Sequence, residues 1–430
     1  MLQLEGAKCS FLICLGICMF IGAVIYLMAE GQTEPQGDST VCGPSKSCQA
    51  FIPSAQGSTA RQMHGCYVES NLKDQQGEGG EFNCSRLVKE LHFITSPLSH
   101  EEEDYPLAFI ITVHKELVLL VRLLRAIYAP QNVYCIHVDA KAMPAYRKAV
   151  ERLAGCLPNV FLTSHSETVA YAGFSRLQAD INCMKDLVAS PMPWRKVVNL
   201  CGQDFPIMSN LELVRYLGSK DWRDKNMTPG IKQPEGMRHR TQLRYREVDG
   251  SYVAPKENSQ KKDDPPHGLQ IYFGTAYYAL TRGFVEFVLK NQVSRDLLEW
   301  SKDTFSPDEH YWVTLNRIKE APGSDLDGGW SGAVRAIKWR EHEGMKHSGC
   351  KGRYVRDICV YGPDDLQWII SSNNMFANKF ESNSFPEALE CLEQWHRDKV
   401  LQQTKVPIQS WWELTTHRNV SAIVNATVGL

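Results

Sequence analysis

The chain has 430 residues, 43% of them hydrophobic and 22% charged, enough to bury a large core and to form two or three domains. Its formal net charge is -2, with no long block of like charge, which removes the electrostatic case for a nucleic-acid partner. Its 14 cysteines contain no Cys-x-x-Cys pair, which argues against a structural zinc site.

Residues 1–9 read as a short cytosolic tail. Ser10 to Met28 carries no charge over 19 positions, long enough to span a bilayer as a helix. Lys8 precedes it and Glu30 follows, which predicts a signal-anchor with the body of the chain lumenal. A cleaved signal peptide would have a shorter apolar core ending in small residues. Cys9, Cys14 and Cys18 lie in or beside this segment, leaving eleven for an oxidising lumen, an odd number that leaves at least one unpaired. Glycosylation sequons begin at Asn83, Asn226, Asn419 and Asn425. Residues 29–105, with Gln75-Gln76-Gly77-Glu78-Gly79-Gly80 and Glu101-Glu102-Glu103-Asp104, read as a solvated stem.

From Pro106 the texture changes. Leu107–Val113 is an apolar run of strand length, and Glu116–Tyr128 has helical periodicity through Leu117, Leu120, Leu124 and Ile127. Strand Val133–Val138 ends at Asp139, helix Met143–Leu153 and strand Asn159–Thr163 follow, then helix Arg176–Val188 and strand Lys196–Leu200. Such alternation predicts a parallel-sheet α/β domain over 106–410, with ligands at the carboxyl ends of its strands. His114, Asp139, Gly202 and Asp204 fall at those ends. Trp222–His267 reads as a long polar loop region over the sheet, Ile271–Leu280 as strand, Phe284–Lys290 as helix, and 411–430 as a tail.

Three charged residues stand in a pattern suited to sugar transfer from a nucleotide donor. Glu309 lies in Ser306-Pro307-Asp308-Glu309-His310, which also reads as a helix start with Pro in its first turn. Arg356 and Lys379 lie downstream. A carboxylate can deprotonate a hydroxyl, and two cations can neutralise a leaving diphosphate without a metal. Asp325-Leu326-Asp327 is formally a metal-binding Asp-x-Asp motif, but it sits in a glycine-rich stretch and reads as a solvated turn.

The segments Leu123–Tyr128, Tyr134–Asp139, Gln178–Lys185, Leu200–Ile207, Tyr272–Tyr277, Asp303–Trp312 and Phe376–Phe380 resemble the core 2 and I-branching β-1,6-N-acetylglucosaminyltransferases, type II Golgi membrane enzymes. The resemblance covers about 85–405. It implies a GT-A fold and inverting transfer of GlcNAc from UDP-GlcNAc to a 6-hydroxyl of galactose or GalNAc, in O-glycans or lactosamine chains, with no metal or other cofactor. It implies Glu309 as general base, Arg356 and Lys379 as diphosphate ligands, and Asp139 and Tyr171 as uridine contacts. It also implies disulfides Cys84–Cys156, Cys135–Cys183 and Cys350–Cys359, and Cys391 paired with one of the stem cysteines Cys42, Cys48 or Cys66. Cys201 would stay free.

The acceptor region departs from the core 2 pattern. Gln233–Arg240 matches only at Arg240, Trp339 matches an acceptor aromatic, and Glu341 replaces a tyrosine. The expected partners are UDP-GlcNAc, a glycan or glycoprotein acceptor, the Golgi membrane and a second copy of the chain. Two other readings compete: a xylosyltransferase-like relative with another donor, and a non-catalytic lumenal glycan-binding protein.

Overall fold

The computed structural model describes Cys48, Phe51, Ile52 and residues 83–256 and 261–414. The expected anchor at 10–28, most of the expected stem, Cys42, Cys66, Asn419 and Asn425 lie outside the described residues. Among the described residues no helix is long and apolar enough to cross a membrane.

β1 (Leu107–Val113) is apolar at nearly every position because it is covered on both faces. Phe109 and Ile111 pack with Leu120, Leu124, Val150 and Leu153 of the helices Leu117–Ile127 and Pro144–Gly155. Ala108 and Ile110 face the other way, toward Leu177, Ile181 and Met184 of the helix Phe174–Ala189. β1 lies between β2 (Val133–Val138) and β4 (Lys196–Cys201), parallel to both, and β3 (Val160–Leu162) extends the sheet beyond β2. Ala279–Thr281 closes the other edge antiparallel to β4. This mixed five-stranded sheet between helices carries its ligand-facing rim at the ends of β1, β2 and β4.

β4 runs into β5 (Asp204–Pro206), which belongs to a second sheet with Phe376–Asn378 and Arg335–Ala336. A hairpin, Arg353–Val355 with Ile358–Val360, lies downstream. The segment expected as a strand from Ile271 to Leu280 divides into Tyr272–Gly274 and Ala279–Thr281, which belong to different sheets. The polar region 222–267 is not one loop. It holds the short helix His239–Gln242 and the hairpin Tyr245–Val248 with Tyr252–Pro255.

Four expectations are corrected. The folded part begins before 106: Leu87, Leu91 and Phe93 join the core beside Phe109, and Cys48 and Ile52 pack near Phe205 and Cys391. The tail begins after 410, because Trp412 is buried with Ile94, Leu98 and Val400. Cys135 and Cys183 are not joined: both thiols are buried and free, and the Cys183 thiol points at the Cys135 carbonyl oxygen, 3.8 Å away. Asn226 cannot carry a glycan in the folded chain. It is buried, its Nδ2 donates to Asn316 Oδ1 at 3.0 Å and to Pro322 O at 2.8 Å, and its Oδ1 accepts from Thr281. Asn83, by contrast, is exposed while its Oδ1 caps the helix Cys84–Glu90.

Disulfides join Cys84 to Cys156, Cys350 to Cys359, and Cys391 to Cys48. Cys391 lies in the helix Pro386–Gln403, which the sequence did not announce.

Candidate active site

Glu309 ends a short turn, Pro307–Glu309, whose position is fixed from both sides. After it, Tyr311 and Trp312 are fully buried and lock the helix Tyr311–Leu315 into the core. Before it, Ser306 has φ of 46° and donates its backbone N–H to Ala172 O at 2.8 Å, and Ala172 has φ of 61°. Each left-handed non-glycine residue costs roughly 1–3 kcal/mol, a cost that surrounding structure sustains mostly at functional sites.

Arg240 Nη1 donates to Glu309 Oε2, and the guanidinium lies between Phe273 and Phe305, 5.2 Å from each ring centroid. Burial pushes the Glu309 carboxyl up to about 7 and neighbouring Asp308 adds to the rise, while Arg240 opposes it. That suits a general base working near neutral pH. Asp308 is itself raised by burial, against the pull of Arg176, whose Nη1 donates to Asp180 Oδ1 at 2.6 Å.

Arg356 and Asp357 form the two-residue tip of the hairpin, with φ of 50° and 62°. Two left-handed residues define the turn type that follows strand twist, usually built from Asn or Gly. Here an arginine is held there instead. Its guanidinium lies 4.4 Å from the centroid of the Tyr171 ring. Lys379 follows the strand Phe376–Asn378, and its Nζ donates to Val355 O at 3.1 Å, one residue before Arg356. Burial lowers the Lys379 pKa and Arg356 contributes in the same direction. An anion placed between these two cations would relieve both.

The Tyr171 ring is exposed, and its backbone N–H donates to Ser251 O at 3.0 Å. Asp139 directly follows β2, with its N–H on Val113 O at 2.9 Å and its Oδ1 accepting from Lys141 N at 2.8 Å. Lys141 Nζ in turn reaches Val169 O at 2.5 Å and Gly250 O, which ties the Asp139 turn to the Tyr171 loop. Contacts therefore link Lys379, Arg356, Tyr171, Ala172, Ser306, Glu309 and Arg240, with Asp139 joined through Lys141.

Other candidates stand apart. Trp339 is half-buried, pairs with Ile358 on the far strand of the Arg356 hairpin, and accepts from His347 Nε2 at 2.9 Å. His114 is exposed at the end of β1, and Gly202 runs so close to Val113 that a side chain there would meet it at 3.2 Å. Asp204 is committed elsewhere: it pairs with Arg335 at 3.2 Å and accepts from Cys201 N at 2.7 Å and Asn378 Nδ2 at 2.9 Å. Burial, with Asp204 beside it, pushes the Cys201 thiol up to about 12, which disfavours the thiolate a nucleophile needs. Asp325 faces Lys225 at 3.9 Å and Asp327 is exposed. Cys350, Cys359 and Asp365 come close enough to suggest a metal, but the two cysteines are bonded to each other.

The sequence reading missed Arg176 and Tyr252. The spacing of Arg176 and Asp180, one helical turn apart, was the available signal for the first. Nothing local marked Tyr252, which bridges to Tyr171.

Comparison with known proteins adds to this geometry. The Core-2/I-Branching enzyme model matches residues 107–370. The chain belongs to that family. Among its relatives, a Homo sapiens protein named probable beta-1,3-galactosyl-O-glycosyl-glycoprotein beta-1,6-N-acetylglucosaminyltransferase 7 is 50% identical over 434 residues, covering 99% of this chain and 100% of the relative. A Homo sapiens N-acetyllactosaminide beta-1,6-N-acetylglucosaminyl-transferase is 50% identical over 335 residues, 77% of this chain and 82% of the relative. A beta-1,3-galactosyl-O-glycosyl-glycoprotein beta-1,6-N-acetylglucosaminyltransferase of Bovine herpesvirus 4 is 41% identical over 335 residues, 75% of each chain. This core-2/I-branching chain is a branching glycosyltransferase.

Proposed function

We propose that the enzyme moves GlcNAc from UDP-GlcNAc to a 6-hydroxyl of galactose or GalNAc, in O-glycans or lactosamine chains, with inversion and without a divalent metal. What supports this most is the line of contacts joining the Glu309 turn to the Tyr171 loop and on to the Arg356 hairpin and Lys379. It connects, through neighbouring backbone and ring contacts, a carboxylate whose pKa burial raises to about 7 with two cations.

In this reading the domain is of GT-A type. Glu309 takes the proton of the acceptor hydroxyl as its oxygen attacks the anomeric carbon. The bond from that carbon to the diphosphate breaks, and the electron pair leaves with UDP. Arg356 and Lys379 stabilise the charge that develops on the β-phosphate. Asp139 and Tyr171 hold the uridine. Arg240 orients Glu309 and meets the acceptor, and Trp339 offers an aromatic face to an acceptor sugar. The proposed setting is the Golgi membrane, with the first residues cytosolic, this domain lumenal, and two copies associating.

The test offers the purified full-length enzyme UDP-GlcNAc with core 1 disaccharide or oligolactosamine, in the presence of EDTA. Transfer to either acceptor, undiminished by the chelator, is the expected result. Loss of transfer in EDTA overturns the metal-free reading and returns attention to Asp325 and Asp327.

A further inference from the structure

The helix His239–Gln242, which sends Arg240 to Glu309, also presents Thr241 and Gln242 to a cavity of about 320 Å³. That is at the small end of the roughly 300–1,000 Å³ usual for small-molecule sites. Trp300, Leu269 and Ile271 form the apolar part of its wall. The rest mixes uncharged polar residues with charged ones, and among the charged ones the balance is positive.

Four cations line it, Lys232, Arg238, Lys261 and Lys262, against Asp263 and Asp264. Asp263 is paired outward with Arg244 at 2.9 Å. Lys262 is buried, bonds to Asp303, and lies 4.8 Å from the Trp300 ring centroid. Asp303 also meets Arg244 at 2.8 Å and Lys256 at 3.7 Å, so one carboxylate stands against three cations. Arg238 pairs with Glu235 at 3.3 Å. Lys232, Lys261 and Asp264 are exposed, and among the described residues none of the three has an ion-pair partner, which leaves a net of one unpaired positive charge. A neutral sugar gains little from two unpaired ammonium groups, whereas an anion gains from both.

We propose that this cavity is a second acceptor subsite that takes an anionic sugar unit, one bearing a sulfate ester or a carboxylate, displaced along the acceptor chain from the hydroxyl that reacts. The proposal rests on Glu309 as the base, because one short helix serves both places. The enzyme would thus prefer acceptors already made acidic, which places it after a sulfating or acidic-sugar-adding step.

The experiment compares three oligolactosamines of equal length: neutral, ending in a sulfated sugar, and ending in a carboxylate sugar. The full-length enzyme is assayed beside the double variant Lys232→Ala, Lys261→Ala. At low ionic strength KM for one or both anionic acceptors is expected to be about fivefold below the neutral one. The advantage shrinks with added salt. The double variant is expected to lose it while keeping kcat and KM on the neutral acceptor, and the better of the two anionic arms names the group recognised. Equal KM for all three acceptors overturns the proposal. So does a variant that weakens neutral and anionic acceptors alike, or one that raises KM for UDP-GlcNAc instead. If no oligolactosamine is turned over, the lactosamine arm of the proposed function has failed, and Glu309→Gln on the core 1 disaccharide tests the base separately. Calorimetric binding of the neutral and anionic oligosaccharides then decides the subsite by the same criterion.

Discussion

β1 and β2 bury almost every side chain between two layers of helices, whereas the Arg353–Val360 hairpin buries only its last two residues and exposes its tip. In the first region apolar packing sets position, and the chain ends at the rim because the strands end there. In the second, Arg356 is placed by a left-handed turn, by the neighbouring Cys350–Cys359 bridge and by its contact with Tyr171. Stability and activity should therefore come apart when the two regions are altered.

The widest separation is expected at Glu309. Glu309→Gln should slow transfer by about 10²–10⁴-fold while the urea midpoint barely moves. Near-normal turnover would remove Glu309 from the role of base. The reverse is expected of Ile110→Ala in β1, which should cost about 2–5 kcal/mol of stability in a urea titration. UDP affinity of the molecules that remain folded should be unchanged, and a parallel loss of both would blur the two regions into one. Lys379→Ala should weaken UDP binding about tenfold, read by calorimetry, because a charge-assisted contact is worth on the order of 1.5–3 kcal/mol and part of it is replaced by water. Unchanged affinity would mean that Lys379 braces Val355 and does nothing more.

Arg240→Gln gives the subtlest signal, a displaced pH profile. A general base at Glu309 would work only when deprotonated, so under the proposed mechanism the rate should rise with pH through about 7. Arg240 favours the charged form, so its removal should raise the pKa and move that limb to higher pH. A limb that stays in place or moves down would show that the pair is not coupled in the working enzyme.

The buried strands were legible because a short, unbroken apolar run bounded by turns suits a strand covered on both faces and little else. Leu107–Val113 and Val133–Val138 form as their composition predicts. The helix Pro386–Gln403 was not legible, for a physical reason. Glu390 and Glu393 pair with Arg122, and Glu393 with Arg125, so the helix buries charge where its pattern should have shown an apolar stripe. The Asn226 sequon misled because a triplet carries no information about burial. The site itself came from resemblance to a family more than from local pattern. No spacing in the sequence says that Arg356 will stack on Tyr171, 185 positions away, or that Ser306 will bond to Ala172.

The Cys48–Cys391 bridge has a covalent consequence for how this enzyme can be released from whatever precedes it. It closes a ring of peptide with a sequence separation of 343. A protease that cuts once inside the ring, including anywhere from 49 to 82, leaves both fragments fastened through sulfur. Liberation by a single cut must therefore occur ahead of Cys48, or else wait for a reductant.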